Sequence, residues 1–137
     1  MLVFQEMISR DDLKNNPQVL YVFGDNDQRR GLGGQAKAMR GEPNAVGVRT
    51  KKLPSNQSGS FYTDDEYADN IQKINEDFML IEQHLSSNGI VVFPSNGIGG
   101  GLADLPNKAP KTYEYIRQKV IHLKKCTNLL LTPLNSC

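Results

Sequence analysis

Apolar positions along the chain fall into short unbroken runs and long helical stripes, and the two kinds alternate. Leu2, Val3 and Phe4 make a short first strand. Ser9 followed by Arg10, Asp11 and Asp12 has the spacing of a capping motif, opening a short helix that Pro17 forces to end. Val19, Leu20, Tyr21, Val22 and Phe23 form a continuous β-favouring run, as a strand covered on both faces should. Gly24, Asp25 and Asn26 then mark a turn. A short helix is predicted over residues 37–40, stopped near Gly41 and Pro43, and a strand over 45–49. A polar loop runs from Lys51 to Phe61, a length that in compact domains is usually functional or mobile.

Thr63, Asp64, Asp65 and Glu66 have the form of a capping box. Tyr67, Ile71, Ile74, Phe78, Ile81 and Leu85 then recur at helical spacing, one stripe of a long helix that ends at Asn88 and Gly89. Residues 90–93 read as a second buried strand ending in Pro94. Residues 111–124 read as a helix with Tyr113, Ile116, Val120 and Leu123 inward, and Leu129, Leu130 and Leu131 as a last strand. Alternating strands and helices predict an α/β fold: a mixed, mostly parallel sheet with helices on both faces, in a single domain over residues 1–137. Ligands of such sheets sit outside the carboxyl ends of the strands.

Composition narrows this picture. With 38% hydrophobic residues and no apolar run near the roughly 20 needed to span a bilayer, no membrane association is expected. The first residues lack the charged and apolar regions of a secretory signal. Cys126 and Cys137 make neither a metal spacing nor a disulfide framework, so a cytoplasmic, reduced protein is expected. His84 and His122 lack a third ligand, and neither a metal nor a cofactor is expected. A net charge of +1 makes the surface as a whole no trap for nucleic acid. A homo-oligomer would be ordinary for such a chain.

The glycines carry the chemistry. Gly31, Gly33 and Gly34 lie in a first loop after a strand, and Gly97, Gly99, Gly100 and Gly101 in a second. Glycines let a backbone approach a phosphate and adopt φ > 0, and successive amides in such turns form anion-binding nests. Two such loops at one sheet edge would clamp a diphosphate. Neither is a P-loop, because the Gly-Lys-Ser/Thr ending is missing. Residues 31–36 match the dinucleotide pattern G-x-G-x-x-A, but too late after the strand for that fold. Asp25 is a candidate acceptor for an amino or hydroxyl group, or a turn-stabilising carboxylate. Arg29 and Arg30 either pair with phosphate or are solvated. Phe61 and Tyr62 either stack on a base or anchor the loop.

Taken together, Asn26, Gly31-Leu32-Gly33-Gly34-Gln35-Ala36, Arg49-Thr50-Lys51-Lys52 and Ile98-Gly99-Gly100-Gly101-Leu102-Ala103-Asp104-Leu105 resemble a compact macrodomain. The layout is similar to the branch that includes the terminal ADP-ribose glycohydrolases, and also resembles a group of small phage and bacterial proteins. The resemblance runs from about Val19 to Leu105. It implies a three-layer macrodomain-like sandwich and, as ligand, ADP-ribose or a cyclic or phosphorylated derivative. With the loop reading, the candidate ligand contacts in the first half are Asp25, Asn26, Gly31, Gly33, Gly34, Gln35 and Thr50. In the second half they are Ser95, Asn96, Gly97, Ile98, Gly99, Gly100, Gly101 and Leu102. Asn26 matches the residue that touches the distal ribose, and Lys51 the nucleophile of the glycohydrolase branch. The acid of that branch follows Gly-Leu directly; here that position is Ala103, with Asp104 one residue later.

Lys51 and Asp104 are therefore the catalytic candidates, while binding without turnover is the leading expectation. A phage origin would make the role sequestration of a nucleotide immune signal in the host cytoplasm. The alternatives are an ADP-ribosyl hydrolase acting on protein or nucleic acid, and an interaction module that binds a partner's phosphates or carboxylates. Nucleic acid enters as a partner only if it is ADP-ribosylated.

Overall fold

The computed structural model describes residues 1–127. Strands β1 (Leu2–Gln5), β2 (Leu20–Asn26), β3 (Ala45–Lys51) and β4 (Val91–Pro94) form one sheet in the order β1-β4-β2-β3. Every pairing between them is parallel. An isolated antiparallel bridge joins Lys51 to Phe61. The strand expected at 129–131 lies outside the described residues.

Alternation along β2 explains the layering, since successive side chains leave a strand on opposite faces. Tyr21 and Phe23, with Val92 of β4, pack against Ile8 and Leu13 near α1 (Arg10–Asn15) and Ala36 and Met39 of α2 (Ala36–Met39). Val22, Val46, Val48, Val91 and Phe93 face the other way. They meet Ile74, Phe78 and Ile81 of α3 (Tyr67–Ser86) and Ile116 and Leu123 of α5 (Pro110–Thr127). The result is an α/β sandwich of three layers. Because all strands run the same way, Gln5, Asn26, Lys51 and Pro94 end at one edge.

Ser9 caps α1 with the expected reciprocal box, accepting from the Asp12 amide while Asp12 accepts from the Ser9 amide. The box expected at Thr63 does not form. Thr63 precedes a 3-10 turn (Asp64–Glu66) and makes no side-chain capping bond. Asp64 instead accepts from the amides of Lys111 (2.9 Å) and Thr112 (3.1 Å) and from the Thr112 hydroxyl (3.0 Å). The first amides of α5 lack intrahelical partners, and this carboxylate supplies them. The apolar stripe of α3 also contains two buried polar residues, Asn70 and Asp77. A short helix α4 (Leu105–Lys108) follows the second glycine loop. Cys126 is buried on α5. No helix among the described residues is long and apolar enough to cross a membrane.

Candidate functional site

At the carboxyl end of β2 the chain places a buried carboxylate between two arginines. Asp25 accepts from Arg40 Nη2 (2.5 Å), Arg29 Nη1 (3.2 Å) and Arg40 Nη1 (3.3 Å), and from the Asn26 amide (2.8 Å). Gly47 on β3 makes room for it. A Cβ there would lie 2.5 Å from Asp25 Oδ2, inside any allowed contact. Arg40 also donates to the carbonyls of Gly31 (2.8 Å) and Arg30 (3.2 Å), so the ion pair fixes the start of the first glycine loop.

Asn26 fixes the same loop from inside. Its Oδ1 accepts from the Gln28 amide (3.0 Å), its Nδ2 donates to the Arg30 carbonyl (2.7 Å), and its own carbonyl accepts from the Arg29 amide (3.0 Å). Gly31 takes φ = +95°, and a Cβ on it would lie 2.9 Å from Pro54 Cβ. Gly33 lies so close to the second loop that a Cβ would meet Leu102 Cδ1 at 2.8 Å. The first loop is thus wedged between the 51–61 loop and the second glycine loop. The backbone amides of residues 31–35 and 98–103 donate to no acceptor among the described residues. Two stretches far apart in sequence therefore bring unsatisfied donors to one place.

That place is a cleft of ≈ 740 Å³ at the carboxyl edge of the sheet. Of the residues expected from sequence, it is lined by Asp25, Asn26, Gly31, Gly33, Gly34, Gln35, Thr50, Lys51, Asn96, Gly97, Ile98, Gly99, Gly100, Gly101 and Leu102. Two do not line it. Ser95 donates its amide to the Gln5 carbonyl (3.0 Å), continuing the sheet ladder beyond β4. Asp104 sits in the left-handed region at φ = +50°, and its carboxylate accepts from Asn107 Nδ2 (2.8 Å) at the start of α4. The lining also includes residues outside the expected set: Gly24, Arg30, Leu32, Ala36, Arg40, Pro54, Ser55, Asn56, Pro94, Ala103, Pro106 and Tyr113. Pro54, Ser55 and Asn56 gave a signal as part of the long polar loop from Lys51 to Phe61, whereas Tyr113 read only as an inward position of α5.

Lys51 is 8% exposed. Its ammonium donates to the Ser55 carbonyl (2.5 Å) and lies 4.8 Å from the centre of the Phe61 ring, which Lys108 also approaches at 4.9 Å. Burial lowers the Lys51 pKa below its ordinary value of 10.5. Phe61 thus serves the loop and its lysines, and Tyr62, fully buried, donates to Asp27 Oδ1. The 51–61 loop is further clipped by Lys52 donating its amide to the Ser60 carbonyl (2.8 Å).

The adjacent arginines separate. Arg29, at φ = +54°, turns to the protein and pairs with Asp25, with Asp77 (2.6 Å) and with the Gly47 carbonyl (2.7 Å). Arg30 lines the cleft. The lining holds three cationic residues, Arg30, Arg40 and Lys51, against one carboxylate, Asp25, which the arginines already engage. Cations and free amides suit an anion. The described residues hold no group of acids, histidines or cysteines that could bind a metal.

The chain belongs to a family of unknown function, DUF7831, whose model matches residues 3–119 and so spans every residue of the cleft. No curated protein and no solved structure matches it.

Proposed function

We propose that the protein binds an ADP-ribose-type nucleotide, ADP-ribose or a cyclic or phosphorylated derivative, in this cleft and releases it unchanged. The observation that carries the proposal is the convergence of the partner-free amides of residues 31–35 and 98–103 on one cleft. A volume of ≈ 740 Å³ falls within the roughly 300–1,000 Å³ of small-molecule sites. Exposed Leu32 and Leu102 and half-buried Tyr113 offer apolar surface for a base or sugar beside the anion site. Binding is favoured over hydrolysis by the state of the acids. Asp25 is held by two arginines and Asp104 lies off the cleft. Binding without turnover is also what sequestration of a nucleotide signal requires, and we extend the proposal to that role.

One observation favours a second activity. Lys51 is desolvated in the cleft, which brings its amine closer to a nucleophilic state. Calorimetric titration with ADP-ribose tests binding, and incubation with ADP-ribosylated protein or nucleic acid followed by chromatography of the released nucleotide separates the two. Micromolar or tighter binding, about −8 kcal/mol or better, with the conjugates left intact supports the receptor. Release of ADP-ribose that Lys51→Ala abolishes moves the function to hydrolysis through Lys51. No heat in two buffers removes free ADP-ribose as the ligand.

A further inference from the structure

The two cations of the cleft other than Arg30 are committed to the protein. Arg40 holds Asp25 and two carbonyls, and Lys51 donates to Ser55. The Arg30 guanidinium makes no hydrogen bond and no ion pair among the described residues, although its backbone is among the most firmly held in the loop. The Arg30 carbonyl accepts from Asn26 Nδ2 at 2.7 Å and from Arg40 Nη2 at 3.2 Å. The preceding residue, Arg29, takes the left-handed conformation and is anchored on Asp77. A long cationic side chain on a pinned backbone, without a partner and beside two stretches of free amides, is a pre-organised anion contact.

We infer that Arg30 is the side chain that pairs with adjacent phosphate groups of the ligand, and that Asn26 is a positioning residue that aims it by holding the Arg30 carbonyl. The ligand class is then a diphosphate, which can lie across both loops and take the guanidinium fork at once. This rests on the nucleotide proposal for its ligand, but not for its chemistry. It also changes the part given to Asn26. Both polar atoms of its side chain are used within the loop, so its contribution is to shape the site, not to read a ribose.

The test is calorimetric titration of wild type, Arg30→Ala, Arg30→Lys, Asn26→Ala and the double alanine variant, each with ADP-ribose and with inorganic pyrophosphate. Thermal unfolding of each variant confirms that it is folded. Arg30→Ala is expected to weaken both ligands about tenfold or more, and Arg30→Lys to recover only part of this, because an ammonium lacks the fork. Asn26→Ala is expected to weaken pyrophosphate, which has no ribose, and to add little once Arg30 is alanine. Unchanged affinity of Arg30→Ala for both ligands overturns the assignment. Loss of ADP-ribose but not pyrophosphate affinity in Asn26→Ala returns that residue to a ribose contact and overturns its positioning role. Arg30-dependent binding of pyrophosphate with no binding of ADP-ribose upholds the phosphate site and removes the nucleotide reading. Failure of wild type to bind either overturns both.

Discussion

Replacing Asp77 by alanine should destabilise the protein by about 3 kcal/mol, the lower part of the roughly 3–5 kcal/mol range for breaking one partner out of a buried pair. The carboxylate, with side-chain exposure of 5%, sits in the apolar stripe of α3 and makes four bonds. It accepts from the Arg49 amide (2.7 Å), Arg49 Nε (3.0 Å), Arg49 Nη2 (3.1 Å) and Arg29 Nη2 (2.6 Å). β3 is an edge strand, so the outward Arg49 amide has no ladder partner, and Asp77 supplies its acceptor. Truncation leaves that amide unsatisfied. It also leaves the Arg49 guanidinium, with side-chain exposure of 18%, with only the exposed Glu76 carboxylate and the Lys73 carbonyl. Arg29, at 42%, can return to water, which is why the lower end of the range applies. Burial opposes the Arg49 charge, yet the Asp77 and Glu76 carboxylates hold its pKa above the ordinary arginine value. Against a total stability of about 5–15 kcal/mol, the loss would show as a fall in melting temperature of roughly 10 °C. Urea denaturation of wild type, Asp77→Ala and Asp77→Asn measures it. A loss below about 1 kcal/mol for Asp77→Ala, with an unchanged denaturant slope, would mean that these pairs behave as solvated surface contacts and would refute the reasoning.

Gly47→Ala puts a methyl 2.5 Å from Asp25 Oδ2, and the carboxylate cannot yield without breaking the Arg40 and Arg29 bonds. It should cost about 2–3 kcal/mol and weaken ligand binding in the same titration; full stability would show that the Asp25 ion pairs are dispensable. Gly33→Ala meets only the end of the Leu102 side chain, whereas Gly31→Ala meets Pro54 and a φ of +95°. Melting curves should therefore show Gly31→Ala clearly less stable than Gly33→Ala, and the reverse order would be wrong for this geometry. Burial raises the Asp64 pKa, but its bonds from the Lys111 and Thr112 amides outweigh this and hold it below 3.8. A depressed carboxylate stabilises above the unfolded value and loses that contribution as pH falls through the folded one. Wild type should thus lose its advantage over Asp64→Asn on acidification below pH 3.8, and a constant difference across that range would contradict the helix-capping role.

Strands and principal helices were legible because each is a local pattern. The run of residues 19–23 and the period of Ile74, Phe78, Ile81 and Leu85 need no knowledge of the rest of the chain. The loops were legible for a related reason, since glycine at φ > 0 or under close approach leaves a mark at its own position. What escaped depends on contacts between distant segments. Arg40 looks like the end of a short helix until β2 brings Asp25 to it. Asp77 looks like a solvent-facing charge interrupting a stripe until Arg49 arrives from β3. Thr63 and Glu66 have capping-box spacing, yet the Glu66 carboxylate accepts from Lys52, and the neighbouring Asp64 caps the start of α5. Asp104 does not line the cleft: its backbone takes the left-handed conformation and its carboxylate accepts from Asn107.

Overall charge would not have located the site. A chain of net charge +1 has no strong field of its own, so the proposed anion would have to be held by donors aimed at it. The cleft provides donors in two forms that respond differently to perturbation: backbone amides fixed by glycine geometry, and side-chain cations, of which only Arg30 is uncommitted. The same inventory bears on turnover. Hydrolysis of a glycosidic bond needs a group to activate water or attack directly, and a group to protonate the leaving oxygen. The one carboxylate lining the cleft, Asp25, could act as a base only after shedding both arginines, and those bonds also hold the first loop in shape. Chemistry through Asp25 would therefore dismantle the loop that its ion pairs hold in place. Among the described residues of the cleft this leaves Lys51 as the candidate for turnover, and its ammonium would first have to leave the Ser55 carbonyl.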